Sequence, residues 1–87
     1  MKVRNMISKN GNRIVNQLII EENGIRYFQS YNSIIIKIEN GKVFLDSEKW
    51  DYSKITGKYR NLFLGETKKE TERKIKDGIY TLTNLNP

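Results

Sequence analysis

Trp50–Gly65 reads W-D-Y-S-K-I-T-G-K-Y-R-N-L-F-L-G and decides how the rest of the chain must pack. It holds the only Trp, two of the five Tyr and one of the three Phe. Asp51 and Ser53 each suit a helix N-cap, because a short side-chain oxygen accepts a hydrogen bond from an unpaired first-turn amide. With Asp51 as the cap, Trp50 and Ile55 would take the hydrophobic-staple positions. Ile55, Tyr59, Leu62 and Phe63 fall at i, i+4, i+7 and i+8, one apolar stripe of a helix. Gly65 suits the left-handed position that ends it. The spacing predicts a helix over Ser53–Leu64 whose stripe lids a core. Gly57 costs that helix about 1 kcal/mol relative to Ala, and a close backbone approach would explain it.

Upstream, the chain reads as strands. Asn10-Gly11, Asn23-Gly24 and Asn40-Gly41 punctuate it, and both residue types tolerate the positive φ of two-residue hairpin turns. Between them Arg13–Glu21, Ile25–Tyr31, Ser33–Glu39 and Lys42–Asp46 are β-branched, aromatic or alternating. Strict alternation would put Ile34, Ile36 and Ile38 on one face, with Ile35 and Lys37 on the other. Tyr31-Asn32-Ser33 joins two strands without a glycine, which suggests a bulge or tight corner. Lys2–Ile7 fits either a short first strand or a frayed end.

Downstream, Thr67-Lys68-Lys69-Glu70 matches a capping box and predicts a second helix over about Lys68–Asp77, stopped by Gly78. Its i,i+4 pairs are Glu70–Lys74 and Glu72–Lys76, and Ile75 is its one apolar anchor. Ile79–Leu85 reads as a last strand. The expected architecture is α+β: an antiparallel β-meander sheet packed on one face by one main helix, with a second short helix and a C-terminal strand. Residues 1–87 make one small domain, with 1–8 and 84–87 prone to fray.

Composition narrows the chemistry. The chain has no Cys and no His, so disulfides, thiolate sites and Ser-His-Asp or Cys-His catalysis are excluded. Asp46, Glu48 and Asp51 cluster around Trp50 without the spacing of a metal loop. No P-loop or dinucleotide fingerprint occurs. These features argue against an enzyme and imply no cofactor and no metal. Apolar runs such as Ile34–Ile36 fall far short of the ~20 residues of a membrane span. Met1–Asn5 has no apolar stretch behind it, unlike a secretory signal. A cytoplasmic protein with no membrane partner is the expectation. The formal charge is +6, from 16 Lys and Arg against 10 Asp and Glu, and each half of the chain carries +3. Such an excess favours polyanionic partners.

Candidate binding residues lie on the predicted helix. Lys54, Lys58 and Asn61 share one flank, while Thr56 and Arg60 line the other. Ser53 and Thr56 sit in the first turn, where amides and the helix dipole favour an anion. A second candidate surface is Phe28–Ser33, where Gln29 and Tyr31 supply an amide and a ring suited to adaptable recognition.

Phe28–Ile35 (F-Q-S-Y-N-S-I-I), Gly41–Asp46 (G-K-V-F-L-D) and Trp50–Gly65, in that order, resemble a group of small bacteriophage and prophage proteins with no assigned activity. That group carries a Ser-Tyr-x-Ser/Thr strand and a W-D-Y-S…K-Y/H…F-L-G helix motif. The chain departs from it at Ile55 and Gly57, where Thr or a small polar residue is expected, and at Tyr59, where His is common. A packing role for position 59 accommodates Tyr better than a chemical one.

The resemblance, with the small size and missing catalytic groups, implies a host-interaction protein. The first hypothesis is an anti-defence inhibitor that occludes a bacterial defence protein such as a CRISPR effector or nuclease, in the host cytoplasm if phage-encoded. The alternative is a nucleic-acid or cyclic-nucleotide binding module, or sponge, using Ser53, Lys54, Thr56, Lys58 and Arg60. A homodimer is consistent with both, since pairing stabilises a domain of this size.

Overall fold

A computed structural model describes residues 1–87 as one six-stranded sheet with two helices. The elements run β1 (Lys2–Ile7), β2 (Arg13–Glu22), β3 (Ile25–Ser30), β4 (Ser33–Glu39), β5 (Lys42–Asp46), α1 (Lys54–Leu64), α2 (Lys68–Lys76) and β6 (Tyr80–Thr83). Spatial order follows chain order. The first five strands are antiparallel neighbours, whereas β6 lies parallel to β5. A parallel neighbour needs a long crossover, and the two helices supply it. The fold is α+β.

Two of the three Asn-Gly steps make the expected turns. Asn23 and Gly24 (φ 52° and 81°) and Asn40 and Gly41 (φ 53° and 76°) link their strands as two-residue loops with both residues left-handed. Asn10-Gly11 does not. It sits in a longer connection closed by Ser8 N–H donating to Asn12 O at 2.8 Å. Lys2–Ile7 is a paired edge strand. The corner at Tyr31 has φ 57°, uncommon for a bulky side chain. Its amide donates to Asn16 O at 2.7 Å, and the Gln29 amide donates to its carbonyl at 2.8 Å.

The bulge lies one step further on. Phe28 faces Ile36 and Gln29 faces Ile34, so Ile35 is an extra residue in β4. Ile35 and Ile36 are both fully buried, so the alternation expected from sequence fails here. Met6, Phe28, Ile35, Ile36, Leu45 and Tyr80 form the core, with Trp50, Tyr59, Phe63 and Ile75 packed against it.

The main helix is rotated by one residue from its expected orientation. Ser53, not Asp51, is the N-cap, accepting from the Thr56 amide. Ile55 and Leu62 are 51% and 56% exposed. The inward face is Thr56, Tyr59, Arg60, Phe63 and Leu64, which also follows i, i+3, i+4, i+7, i+8 spacing. Two contacts set this rotation. Thr56 Oγ1 lies 3.0 Å from the buried Ser30 Oγ, and the Phe63 ring stacks on Phe28 at 5.6 Å.

The second helix has its capping box, Thr67 with Glu70. Lys74, however, pairs with Glu66 at 2.7 Å and not with Glu70. Glu66 also accepts from Thr71 Oγ1 at 2.6 Å and Tyr80 Oη at 2.7 Å. Its side chain is 5% exposed. Burial pushes the Glu66 carboxyl up, but the bonds from Lys74, Thr71 and Tyr80 outweigh it and hold the pKa below 4.5. Glu66 is therefore a stabilising carboxylate above pH 4.5, and that contribution is lost as pH falls through its lowered folded-state value. Glu66→Gln should cost roughly 1–2 kcal/mol at neutral pH. It should also flatten the acid limb of stability, as measured by denaturant unfolding from neutral pH downwards.

Candidate functional site

The cationic side of α1 carries an open groove of about 650 Å³ lined by no apolar side chain. Ser53, Lys54, Lys58 and Asn61 reach it from α1, Asp51 from the preceding turn and Lys68 from the start of α2. Arg60 also borders it, so four cations face one carboxylate. Lys54, Lys58 and Lys68 are exposed. The outward turn of Lys54 and Lys58 follows from the inward anchoring of Thr56 and Arg60.

Two expected site residues lie in the interior. Thr56 is fully buried against Ser30, and Arg60 is 1% exposed. An apolar stripe of Ile55, Tyr59, Leu62 and Phe63 was the expected lid, yet the largest fully buried side chain is Arg60. The reason is pairing of both terminal guanidinium nitrogens, while the buried Nε has no hydrogen-bond partner. Arg60 Nη1 donates to Trp50 O at 2.7 Å and to Asp51 Oδ1 at 3.0 Å, and Nη2 donates to Asn61 Oδ1 at 2.9 Å. Its guanidinium lies 5.1 Å from the Trp50 ring, a cation–π arrangement strengthened by desolvation. Asp51 also takes Lys68 at 2.6 Å. Burial raises the Asp51 pKa, but the Lys68 and Arg60 hydrogen bonds dominate and lower it.

Gly57 lies beneath this cluster. A Cβ there would meet Arg60 and Asp51 atoms at 3.6–3.7 Å, which is ordinary contact. The close backbone approach expected at Gly57 is therefore not what requires glycine there, since the Arg60–Asp51 pair leaves space for a methyl group.

Ser53 is in the groove, but its hydroxyl already caps the Thr56 amide. Gln29 and Tyr31 border neither this groove nor its neighbour; both belong to the β3–β4 corner. Asp46, Glu48 and Asp51 do not converge, since Asp46 accepts from the amides of Glu48, Lys49 and Leu85. Lys68 escaped the sequence reading. Its only signal was its place as the first residue after the Thr67 cap, which says nothing about Asp51.

A second groove of about 710 Å³ runs along the other side of α1. Ile7, Ile14, Tyr59 and Leu62 supply apolar walls, and Lys9 and Lys58 supply charge. The two grooves share Lys58 and Asn61 as a common ridge. No helix is long and apolar enough to cross a membrane.

Fold and grooves define a small α+β domain with a helix-covered cationic side and a bare sheet face. The chain belongs to DUF8033, a family of unknown function, whose model matches residues 1–78. The matched span covers β1 to α2 and stops before β6. No curated protein and no solved structure matches the chain.

Two variants test the account of Arg60. Asp51→Asn leaves a buried guanidinium without its counter-charge and should cost roughly 2–3 kcal/mol in chemical denaturation. Gly57→Ala should raise stability by up to about 1 kcal/mol, because the φ is ordinary and the methyl group fits. A loss of stability in Gly57→Ala would mean that Arg60 and Asp51 tolerate no displacement.

Proposed function

We propose that this chain is a non-enzymatic binding module that takes an anionic partner, a nucleic acid or nucleotide phosphate, on the cationic side of α1. The supporting observation is the groove itself: Lys54, Lys58 and Lys68 stand exposed around an apolar-free surface. The one carboxylate there, Asp51, is already bound by Arg60 and Lys68. An occluder that imitates nucleic acid in a nuclease channel would need the opposite charge, which weighs against that form of inhibition. Exposed lysines on one face and no histidine or cysteine suit holding phosphate rather than transforming it.

A second reading has its own support. The groove walled by Ile7, Ile14, Tyr59 and Leu62 offers apolar anchors to a protein, with Leu62 and Ile7 more than half exposed. A phage-type inhibitor of a bacterial defence protein would use that side.

Salt separates the two. With about three phosphate contacts, affinity for a single-stranded oligonucleotide should fall with a log–log slope near −2. Lys54→Glu/Lys58→Glu should weaken binding at least about tenfold while keeping the wild-type melting temperature. An oligonucleotide affinity unchanged in that variant ends the phosphate reading. A host protein captured in a salt-insensitive complex, and lost with Leu62→Glu, would support the second.

A further inference from the structure

The side of the sheet turned away from both helices is uncovered, and its apolar residues belong to no part of the core. Register places one continuous row across all six strands: Val3 opposite Ile20, Ile20 opposite Tyr27, Tyr27 opposite Lys37, Lys37 opposite Phe44, and Phe44 opposite Thr81. Leu18 and Ile34 flank it from the neighbouring row, each opposite Gln29. None of these side chains is buried, and none joins the core cluster. By contrast, Phe28 and Ser30 on the other side meet Phe63 and Thr56 of α1. Only six apolar residues are buried in the whole chain, which is thin for a domain of this length.

Charge identifies the occupant. Within the paired strands, the uncovered face carries Arg13, Lys37 and Lys42 against Glu22, Glu39 and the amide-bound Asp46 at its end. Those six charges cancel, while the chain as a whole is +6. Lys37 is already matched by Glu39 at 3.1 Å, and its Nζ lies 5.7 Å from the Phe44 ring. Two copies of so basic a chain repel each other through most of their surfaces. The sheet face combines little net charge with a run of half-buried apolar side chains that a second sheet would cover. We infer that this face pairs with the same face of a second copy, sheet on sheet, about a two-fold axis.

The area suits a modest, concentration-dependent dimer. Six strands spaced ~4.8 Å apart and roughly 20 Å long present about 500 Å² in projection, and more in accessible surface. A stable interface buries about 800 Å² per partner. The contact also leaves both grooves of α1 open, because they lie on the opposite side of the sheet. Pairing therefore does not depend on what those grooves bind.

Sedimentation equilibrium on the full chain tests this from about 1 to about 100 µM, at low and high salt. The expected mass is twice the 10.3 kDa of one chain at the upper concentrations, undiminished by salt. Phe44→Glu and Tyr27→Glu should each raise the dimer dissociation constant at least about tenfold with an unchanged circular dichroism spectrum. Leu62→Glu on the helix side should leave it unchanged. If a glutamate variant fails to fold, Phe44→Ser and Tyr27→Ser replace it with the same expectation. A monomer at every concentration overturns the inference, and so does a dimer unaffected by folded variants at both positions. A monomer that instead binds a different protein through Phe44 also overturns it.

Discussion

A guanidinium sealed in the helix–sheet junction organises this domain. Arg60 is held by Asp51, by the Trp50 carbonyl and ring, and by its neighbour Asn61. Asp51 passes the constraint to α2 through Lys68. One buried cation thereby ties the turn after β5, the main helix and the second helix into a single arrangement. A buried ion pair contributes little net energy over an apolar substitute, since desolvation offsets much of the attraction. It does restrict geometry, because a charge left unpaired in that position would be strongly unfavourable. An apolar residue at position 60 would tolerate several helix rotations, whereas a guanidinium bonded through both terminal nitrogens tolerates one.

That rotation determines what the surface can do. With Thr56 and Arg60 inside, Lys54 and Lys58 point to solvent, and Ile55 and Leu62 are left at the surface. The cationic groove and its apolar neighbour are both consequences, meeting at Lys58 and Asn61. The Glu66, Thr71, Lys74 and Tyr80 cluster does similar work at the other end. It docks α2 against β6, and so holds β6 parallel beside β5. Buried polar groups with specific partners thus fix the position of both helices, while the apolar core they cover is small.

The two sides of the sheet divide the labour. One holds the core and carries the excess positive charge above it. The other is apolar, close to neutral in its strands and bare. Such a division suits a module that pairs through its back and binds anions at its front. A pair of grooves facing outward would also raise the effective concentration of sites for an extended polyanion.

Short-range signals account for much of the local structure. Asn23-Gly24 and Asn40-Gly41 specified tight hairpins through their tolerance of positive φ, and Thr67 with Glu70 specified the start of α2. Gly65 specified the end of α1. Those signals act within a few residues, so they are legible without tertiary contacts. Tertiary structure decided everything that depends on partners distant in sequence. Periodicity allowed two adjacent faces for α1, one with Ile55 and Leu62 inside and one with Thr56 and Arg60 inside. Hydropathy favours the first. The second won because Ser30 bonds the Thr56 hydroxyl, and Asp51 and Trp50 bond a terminal nitrogen of Arg60. For the same reason Ser53, Lys54 and Lys58 could be named in advance as surface candidates, whereas Lys68 could not. The β4 bulge likewise follows from pairing with β3, which put Ile35 beside Ile36 against the alternation of its own strand.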